Sequence, residues 1–305
     1  MNIAITGSSG MLGVPLGAVL SKDPAYTVSG IDLKKPSGKR GLANYFKCDI
    51  TDYHQLDKAI KDIKPDLIIH TAAYTDVDGC EQNPGKAQTV NSIGTQYVAR
   101  AAHESSCGLI YISTDFVFDG SKRTPYTEDD QPNPINAYGK SKLEAEKYVM
   151  ELVSSKKFFI IRTSWLFGPN GKNFVDTILN KARQEKSLKV VSDQFGSPTY
   201  TWDLAEAIKN IVDLYGKRDD IYGIYHITNS DDCSWYRLAQ KAIQLDNIYD
   251  VELIPIVSYE LDCPAERPAM SILANDKYIK LFGAPLRRWG LALDEHIRLK
   301  GRQDV

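Results

Sequence analysis

Asn2-Ile3-Ala4-Ile5-Thr6-Gly7-Ser8-Ser9-Gly10-Met11-Leu12-Gly13 is the stretch whose reading decides the fold. Its first five residues are a short β-prone run, the next seven a glycine-rich turn. Val14, Leu16, Val19 and Leu20 then follow at the spacing of an apolar helix face. Strand, glycine loop and helix in that order are the context a dinucleotide fingerprint requires. Gly7, Gly10 and Gly13 permit a tight turn and let the backbone approach a pyrophosphate, whose charge sits at the helix N-terminus. The spacing is G-x-x-G-x-x-G rather than the commoner G-x-G-x-x-G.

Working outward, the run from Thr27 to Leu33 reads as a second strand and carries Asp32, nineteen residues beyond Gly13. A carboxylate there can accept both hydroxyls of an adenosine ribose and repels a 2′-phosphate, which favours NADH. Lys34, Lys35, Lys39 and Arg40 follow closely and could hold that phosphate, so NADPH stays open as well. Alternation then continues: strand Tyr45 to Ile50, helix Tyr53 to Ile63, strand Asp66 to Ala73, helix Gly85 to His103, strand Leu109 to Ser113. Strands separated by helical stretches predict an α/β, doubly wound parallel sheet with ligands at the carboxyl ends of its strands. Polar clusters stand at those ends: Asp49-Ile50, Ala72-Ala73-Tyr74-Thr75 and Ser113-Thr114-Asp115. Phe116 to Asn136, with Pro125, Pro132 and Pro134, reads as a surface loop or lid.

Asn136-Ala137-Tyr138-Gly139-Lys140-Ser141-Lys142 opens the next helix, from Ala137 to Val153, and places Tyr138 and Lys142 four apart on one face. Tyrosine is a poor acid at neutral pH, but a cation ~5 Å away at an effective dielectric of ~20 favours the phenolate by about 3 kcal/mol, roughly two pKa units. The expectation is a phenol acidified by its neighbouring ammonium. Tyr-x-x-x-Lys by itself is common on solvated helices, so the surrounding pattern must carry the assignment. A strand from Phe158 to Arg162 leads to Thr163-Ser164-Trp165. Regularity weakens afterwards, with helices at Phe174 to Gln184 and Trp202 to Leu214 and strands at Leu188 to Val191, Gly223 to Thr228 and Val251 to Pro255. A dinucleotide-binding domain over 1–168 and a smaller substrate-binding part over 169–305 are expected, some elements of the latter returning to the first sheet.

Composition narrows the function classes. The 305 residues are 43% hydrophobic with a net charge of −2, which provides a core and no field for polyanions, so nucleic acid is not an expected partner. Cys48, Cys80, Cys107, Cys233 and Cys263 are scattered and form no C-x-x-C, a pattern of free thiols in a reducing compartment. The five histidines form no metal-ligand spacing, so no metal is expected. No basic leader opens the chain and no apolar run reaches the ~20 residues of a membrane span, which reads as a soluble cytoplasmic protein without a membrane partner.

The glycine loop, Asp32, Ser113-Thr114 and Tyr138-Gly139-Lys140-Ser141-Lys142, in that order, resemble the extended short-chain dehydrogenase/reductase superfamily, with its Rossmann-type sheet. Ser113-Thr114-Asp115-Phe116-Val117-Phe118-Asp119-Gly120, Arg162-Thr163-Ser164-Trp165, Gly171-Lys172-Asn173-Phe174, Asp193-Gln194-Phe195-Gly196-Ser197-Pro198-Thr199 and Arg267-Pro268 are similar to the dTDP-4-dehydrorhamnose reductase family across nearly the whole chain. The resemblance implies reduction of dTDP-4-dehydro-L-rhamnose to dTDP-L-rhamnose with NADPH or NADH. It implies that Gly10, Met11, Leu12, Asp32, Asp49, Ile50, Ala73, Tyr74, Thr75, Ile112, Tyr138 and Lys142 touch the cofactor. Thr114, Asp115 and Trp165 would meet the sugar nucleotide. Tyr138 would give the proton, Lys142 would hold the nicotinamide ribose, Thr114 would polarise the carbonyl, and Asn91 would orient Lys142 through water. Mg²⁺ and a homodimer are implied by the resemblance alone.

Two other readings share these features. A nucleotide-sugar 4-epimerase or 4,6-dehydratase uses the same loop and Tyr/Lys pair, but dehydratases typically place an acidic residue after Thr-Asp, where this chain has Phe116. A non-catalytic regulatory subunit of the methionine adenosyltransferase type resembles the reductases too, and the presence of Tyr138, Lys142 and Thr114 weakens that reading.

Overall fold

The computed structural model describes residues 1–35, 41–153 and 157–301, so Lys39 and Arg40, two of the four basic residues near Asp32, lie outside the described residues. The first half runs β1 (Asn2–Thr6), α1 (Gly13–Leu20), β2 (Thr27–Asp32), β3 (Asn44–Lys47), α2 (Tyr53–Ile63), β4 (Leu67–His70), α3 (Val77–Gln82) and α4 (Pro84–Ala87). It continues through α5 (Gly94–Glu104), β5 (Gly108–Thr114), α6 (Ala137–Leu152) and β6 (Phe158–Thr163). The second half adds β7 (Leu166–Phe167), α7 (Phe174–Ala182), β8 (Ser187–Val191), β9 (Phe195–Gly196), β10 (Thr199–Tyr200), α8 (Thr201–Leu214) and β11 (Gly223–His226). It ends with β12 (Cys233–Ser234), α9 (Trp235–Leu245), β13 (Glu252–Ile256), α10 (Asp276–Phe282) and α11 (Trp289–Gly301).

Seven strands form one parallel sheet in the order β11-β6-β5-β4-β1-β2-β3. Alternation along β1 explains why helices cover both faces. Ile3 and Ile5 pack with Leu16 and Leu20 of α1 and Leu204 and Ile208 of α8, while Ala4 joins Leu56 of α2, Val98 of α5 and Val149 of α6. Each such Leu or Ile, removed from water, contributes about 1.5–3 kcal/mol. β4 and β5 are buried along their whole length, as central strands covered on both sides must be.

β11 pairs with β6 and α8 packs on α1, so these two elements of the second half belong to the large sheet. α10 joins them through Tyr278, while α7, α9 and α11 gather around a separate apolar cluster of Val175, Leu179, Leu188, Leu238, Ala242 and Leu293, with β8 and β13 paired in parallel beside it. The loop after β5 is pinned rather than loose. Phe118 and Tyr126 are buried against Leu273, and Tyr126 exchanges backbone hydrogen bonds with Ile272 and Ala274.

The single helix expected from Gly85 to His103 is instead interrupted. Between α4 and α5 the residues Gln88–Ile93 form a π-helical turn, and α3 precedes it. The bulge turns Asn91 inward, where its amide finds three partners that a regular helix register would not offer. Among the described residues no helix is long and apolar enough to cross a membrane.

Candidate active site

The carboxyl ends of β1, β2, β4, β5 and β6 open into a cleft of about 1260 Å³. Gly7, Gly10, Met11, Leu12, Asp32, Asp49, Ile50, Ala73, Thr75 and Ile112 line one part of it, together with Tyr138, Lys142, Thr114, Asp115 and Trp165. Gly7 has φ +71°, and a Cβ there would lie 2.6 Å from the Ala72 nitrogen. Gly10 brings bare backbone to the cleft, so the loop fits the close approach of a pyrophosphate at the start of α1. Asp32 accepts from the Ser9 N–H (2.9 Å) and the Lys34 N–H (3.1 Å), which fixes its carboxylate at the tip of β2.

Two of the expected cofactor residues do not line the cleft. Gly13 faces the glycine loop, where a Cβ would lie 2.1 Å from the Gly7 carbonyl oxygen, so its smallness serves helix packing. Tyr74 turns its ring under Lys86 (4.1 Å), and its backbone is tied to the Asn91 amide.

The catalytic helix is placed by its first turn. Asn136 caps α6 by accepting from the Gly139 N–H (2.8 Å) and donates to the Glu266 carbonyl (2.8 Å). At Gly139 a Cβ would lie 2.0 Å from the Phe116 carbonyl oxygen, so only glycine lets α6 press against the turn at the end of β5 that follows Thr114 and holds Asp115. Tyr138 is thereby brought to the cleft with its ring edge-on to Phe116 (5.8 Å, 74°) and its phenol within the influence of the Thr114 hydroxyl. Lys142, one turn on, is buried, donates to the Ile112 carbonyl (2.7 Å) and lies 4.2 Å over the Tyr111 ring.

The expected acidification of Tyr138 is corrected by this geometry. Burial pushes the phenol well above its ordinary value; the Thr114 hydroxyl opposes the rise, and Asp115 and Cys80 reinforce it. Burial acts on Lys142 in the opposite sense, taking its ammonium down to about 7, with Glu146 raising it. Asp115 is 1% exposed, and burial lifts its carboxyl to about 7 against hydrogen bonds from Ser271 and Thr114. Its Oδ1 accepts from the Thr114 hydroxyl (3.0 Å). The Asn91 amide bonds Tyr74 and the Ser141 hydroxyl (3.0 Å), so it braces α6 against the β4 loop.

The far part of the cleft comes from the second half of the chain and was mostly hidden from sequence reasoning. Trp165 stacks on Trp235, with ring centroids 3.4 Å apart and planes 5° from parallel. Its backbone is left-handed at φ +47°, uncommon for a bulky residue, and Gly196 makes room for the indole, since a Cβ there would lie 2.4 Å from the ring. Lys172, Phe174, Lys181, Lys189 and Arg267 join Trp235 along this wall. Arg267 also donates to Asp78 (2.8 Å), closing one side of the cleft. Four of these six residues are cationic and could have been flagged as anion-facing, but they are scattered along the chain. Among the described residues no group of three or more His, Cys, Asp and Glu side chains could hold a metal ion.

The family model described as the RmlD substrate binding domain matches residues 1–300. A dTDP-4-dehydrorhamnose reductase from Aggregatibacter actinomycetemcomitans is 37% identical, over 95% of this chain and 96% of its own. The crystal structure of a dTDP-4-dehydrorhamnose reductase from Clostridium acetobutylicum superposes with a TM-score of 0.88 at 37% identity, covering 99% of this chain and 100% of that one. One from Bacillus anthracis, solved in complex with NADP, gives a TM-score of 0.86 at 36% identity, covering 97% and 98%.

Proposed function

Because the chain belongs to the dTDP-4-dehydrorhamnose reductase family, we propose that it reduces the C4 carbonyl of dTDP-4-dehydro-L-rhamnose to give dTDP-L-rhamnose. It is an NAD(P)H-dependent oxidoreductase of nucleotide-sugar biosynthesis. The observation that carries the reading is the meeting of Tyr138, Lys142 and Thr114 in the cleft whose other part is the glycine loop.

Gly7, Gly10, Met11 and Leu12 would hold the pyrophosphate of the dinucleotide, Asp32 its adenosine ribose, and Lys142 its nicotinamide ribose. When bound, NAD(P)H supplies a hydride to the carbonyl carbon. Tyr138 donates a proton to the carbonyl oxygen, a task for which a phenol kept protonated by burial is suited at neutral pH. The Thr114 hydroxyl stands beside that phenol and stabilises charge developing on the oxygen. Asp115, which lines the cleft beside Thr114, would meet a sugar hydroxyl. Phe116, where dehydratases carry an acid, edges the Tyr138 ring and offers no second proton-transfer group. Residues 1–168 serve mainly the dinucleotide and the rest mainly the sugar nucleotide, with β11 and α8 returning to the sheet. Five free thiols support a reducing, cytoplasmic setting, and the family's habit supports a homodimer.

The test is the absorbance of reduced nicotinamide with dTDP-4-dehydrorhamnose. A reductase consumes it stoichiometrically, whereas an epimerase or dehydratase recycles it. Tyr138→Phe should keep cofactor binding and lose roughly 100-fold or more in turnover. A near-normal rate in that variant removes Tyr138 from the mechanism.

A further inference from the structure

Glu146 lies one turn beyond Lys142 on α6 and is completely buried. Its carboxylate accepts two hydrogen bonds from Arg162 on β6 (Nε to Oε1 2.9 Å, Nη2 to Oε2 2.7 Å) and a third from the Ser113 hydroxyl (2.5 Å). Arg162 is itself 2% exposed, with its guanidinium over Phe118 (5.1 Å) and its Nη1 without a partner. A buried ion pair is weak evidence for stability, because apolar residues of similar volume often do as well. Its position is what needs explaining. The three members come from β5, α6 and β6, and Ser113 directly follows Ile112, whose carbonyl holds Lys142.

We propose that Glu146 is a positioning residue of the active site: its carboxylate, anchored by Arg162 and Ser113, holds Lys142 as an ammonium beneath the cofactor cleft. The groups facing Lys142 are few. Tyr138 and Glu146 share its helix, and Ser113 and Thr114 of β5 are hydroxyls that carry no charge. Tyr111 of β5 offers a ring face, and Asp115 stands just beyond that strand. His70 of β4 is uncharged, since burial takes its imidazole down to about 3. Arg162 of β6 is a cation too, and it is paired by the carboxylate of Glu146, which shares the helix of Lys142 one turn on. Burial alone drives Lys142 toward the neutral amine, and Glu146 is the group that opposes it. A unit charge one helical turn away, in an effective dielectric of ~20, shifts a lysine by roughly one to two pH units.

The inference rests on the reductase reading, in which the ammonium is the working form of Lys142. The alkaline limb of kcat/KM then reports loss of its proton: activity is present below that limb and lost as pH rises through it. Glu146→Gln should move the limb down by roughly one to two units, so that the loss is tenfold or more on the alkaline side and shrinks away only as pH falls below the displaced limb. Glu146→Asp keeps the charge and should restore the limb. Affinity for NADPH, measured by its fluorescence without any sugar, should show the same displacement. Should Glu146→Gln not fold, the double variant Glu146→Gln/Arg162→Met removes the pair without leaving a lone buried guanidinium, and its limb should also move down. An unmoved limb, or an equal loss at every pH, overturns the proposal. Failure of the unaltered protein to reduce the sugar nucleotide sinks the reductase reading instead, and the NADPH titrations still judge Glu146.

Discussion

Asn91→Asp is the sharpest probe of how the site is braced. Asn91 is 1% exposed. Its Oδ1 accepts from the Tyr74 N–H (2.7 Å), and its Nδ2 donates to the Tyr74 carbonyl (3.0 Å) and to the Ser141 Oγ (3.0 Å). The Ser141 hydroxyl proton goes to the Tyr138 carbonyl (2.7 Å), so Ser141 can only accept from Asn91. Aspartate is nearly isosteric, yet its second oxygen would face two acceptors. Two hydrogen bonds at about 1 kcal/mol each are lost, and a buried carboxylate oxygen set against acceptors costs about 1–3 kcal/mol more, giving a destabilisation of about 3–5 kcal/mol. Protonating the new carboxyl returns one donor and relieves part of this. The folded variant therefore holds its proton more tightly than the unfolded chain, whose Asp titrates near 3.9, and its stability falls as pH rises through the window above that value. Urea unfolding at pH 5 and pH 8, with the unaltered protein alongside, measures both effects. A loss under about 1 kcal/mol at pH 8, or the same loss at both pH values, would refute the bracing role.

Asp115→Asn tests the buried carboxyl beside Tyr138. The folded protein keeps the Asp115 proton up to about 7, whereas the unfolded chain releases it near 3.9. The unaltered protein thus loses stability between those values, and the variant has no such group to titrate. The melting temperature of the variant minus that of the unaltered protein should rise by a few degrees from pH 4 to pH 8; a constant difference counts against the assignment. Trp235→Ala removes one plate of the indole stack and should raise KM for the sugar nucleotide about tenfold while kcat stays within a few-fold. An unchanged KM would exclude the pair from substrate binding.

The β1, glycine loop and α1 succession was legible because period 2 gives way to period 3.6 across a turn that only glycines can make, and Asp32 was legible by its distance from that turn. The π-turn at Gln88–Ile93 was not, because it exists for the sake of Asn91's partners, one of them Ser141, fifty residues away. The Trp165–Trp235 stack joins positions seventy residues apart, and nothing local to Ser234-Trp235 marks the second indole as anything but a helix start. Gly223–His226 could be read as a strand, but a four-residue run says nothing about which edge it will join. The misjudged acidity of Tyr138 has a different origin. Spacing along a helix reports that a phenol and an ammonium share a face, and it carries no information on how much water reaches either. Phe116, Tyr111 and the Ile112 carbonyl displace that water, and burial then dominates both groups, raising Tyr138 and lowering Lys142 together. Where both members of a helical pair are buried, the charge that counts is a buried one beside them, and here Glu146 supplies it from the same helix, held in place by Ser113 and Arg162 of the flanking strands.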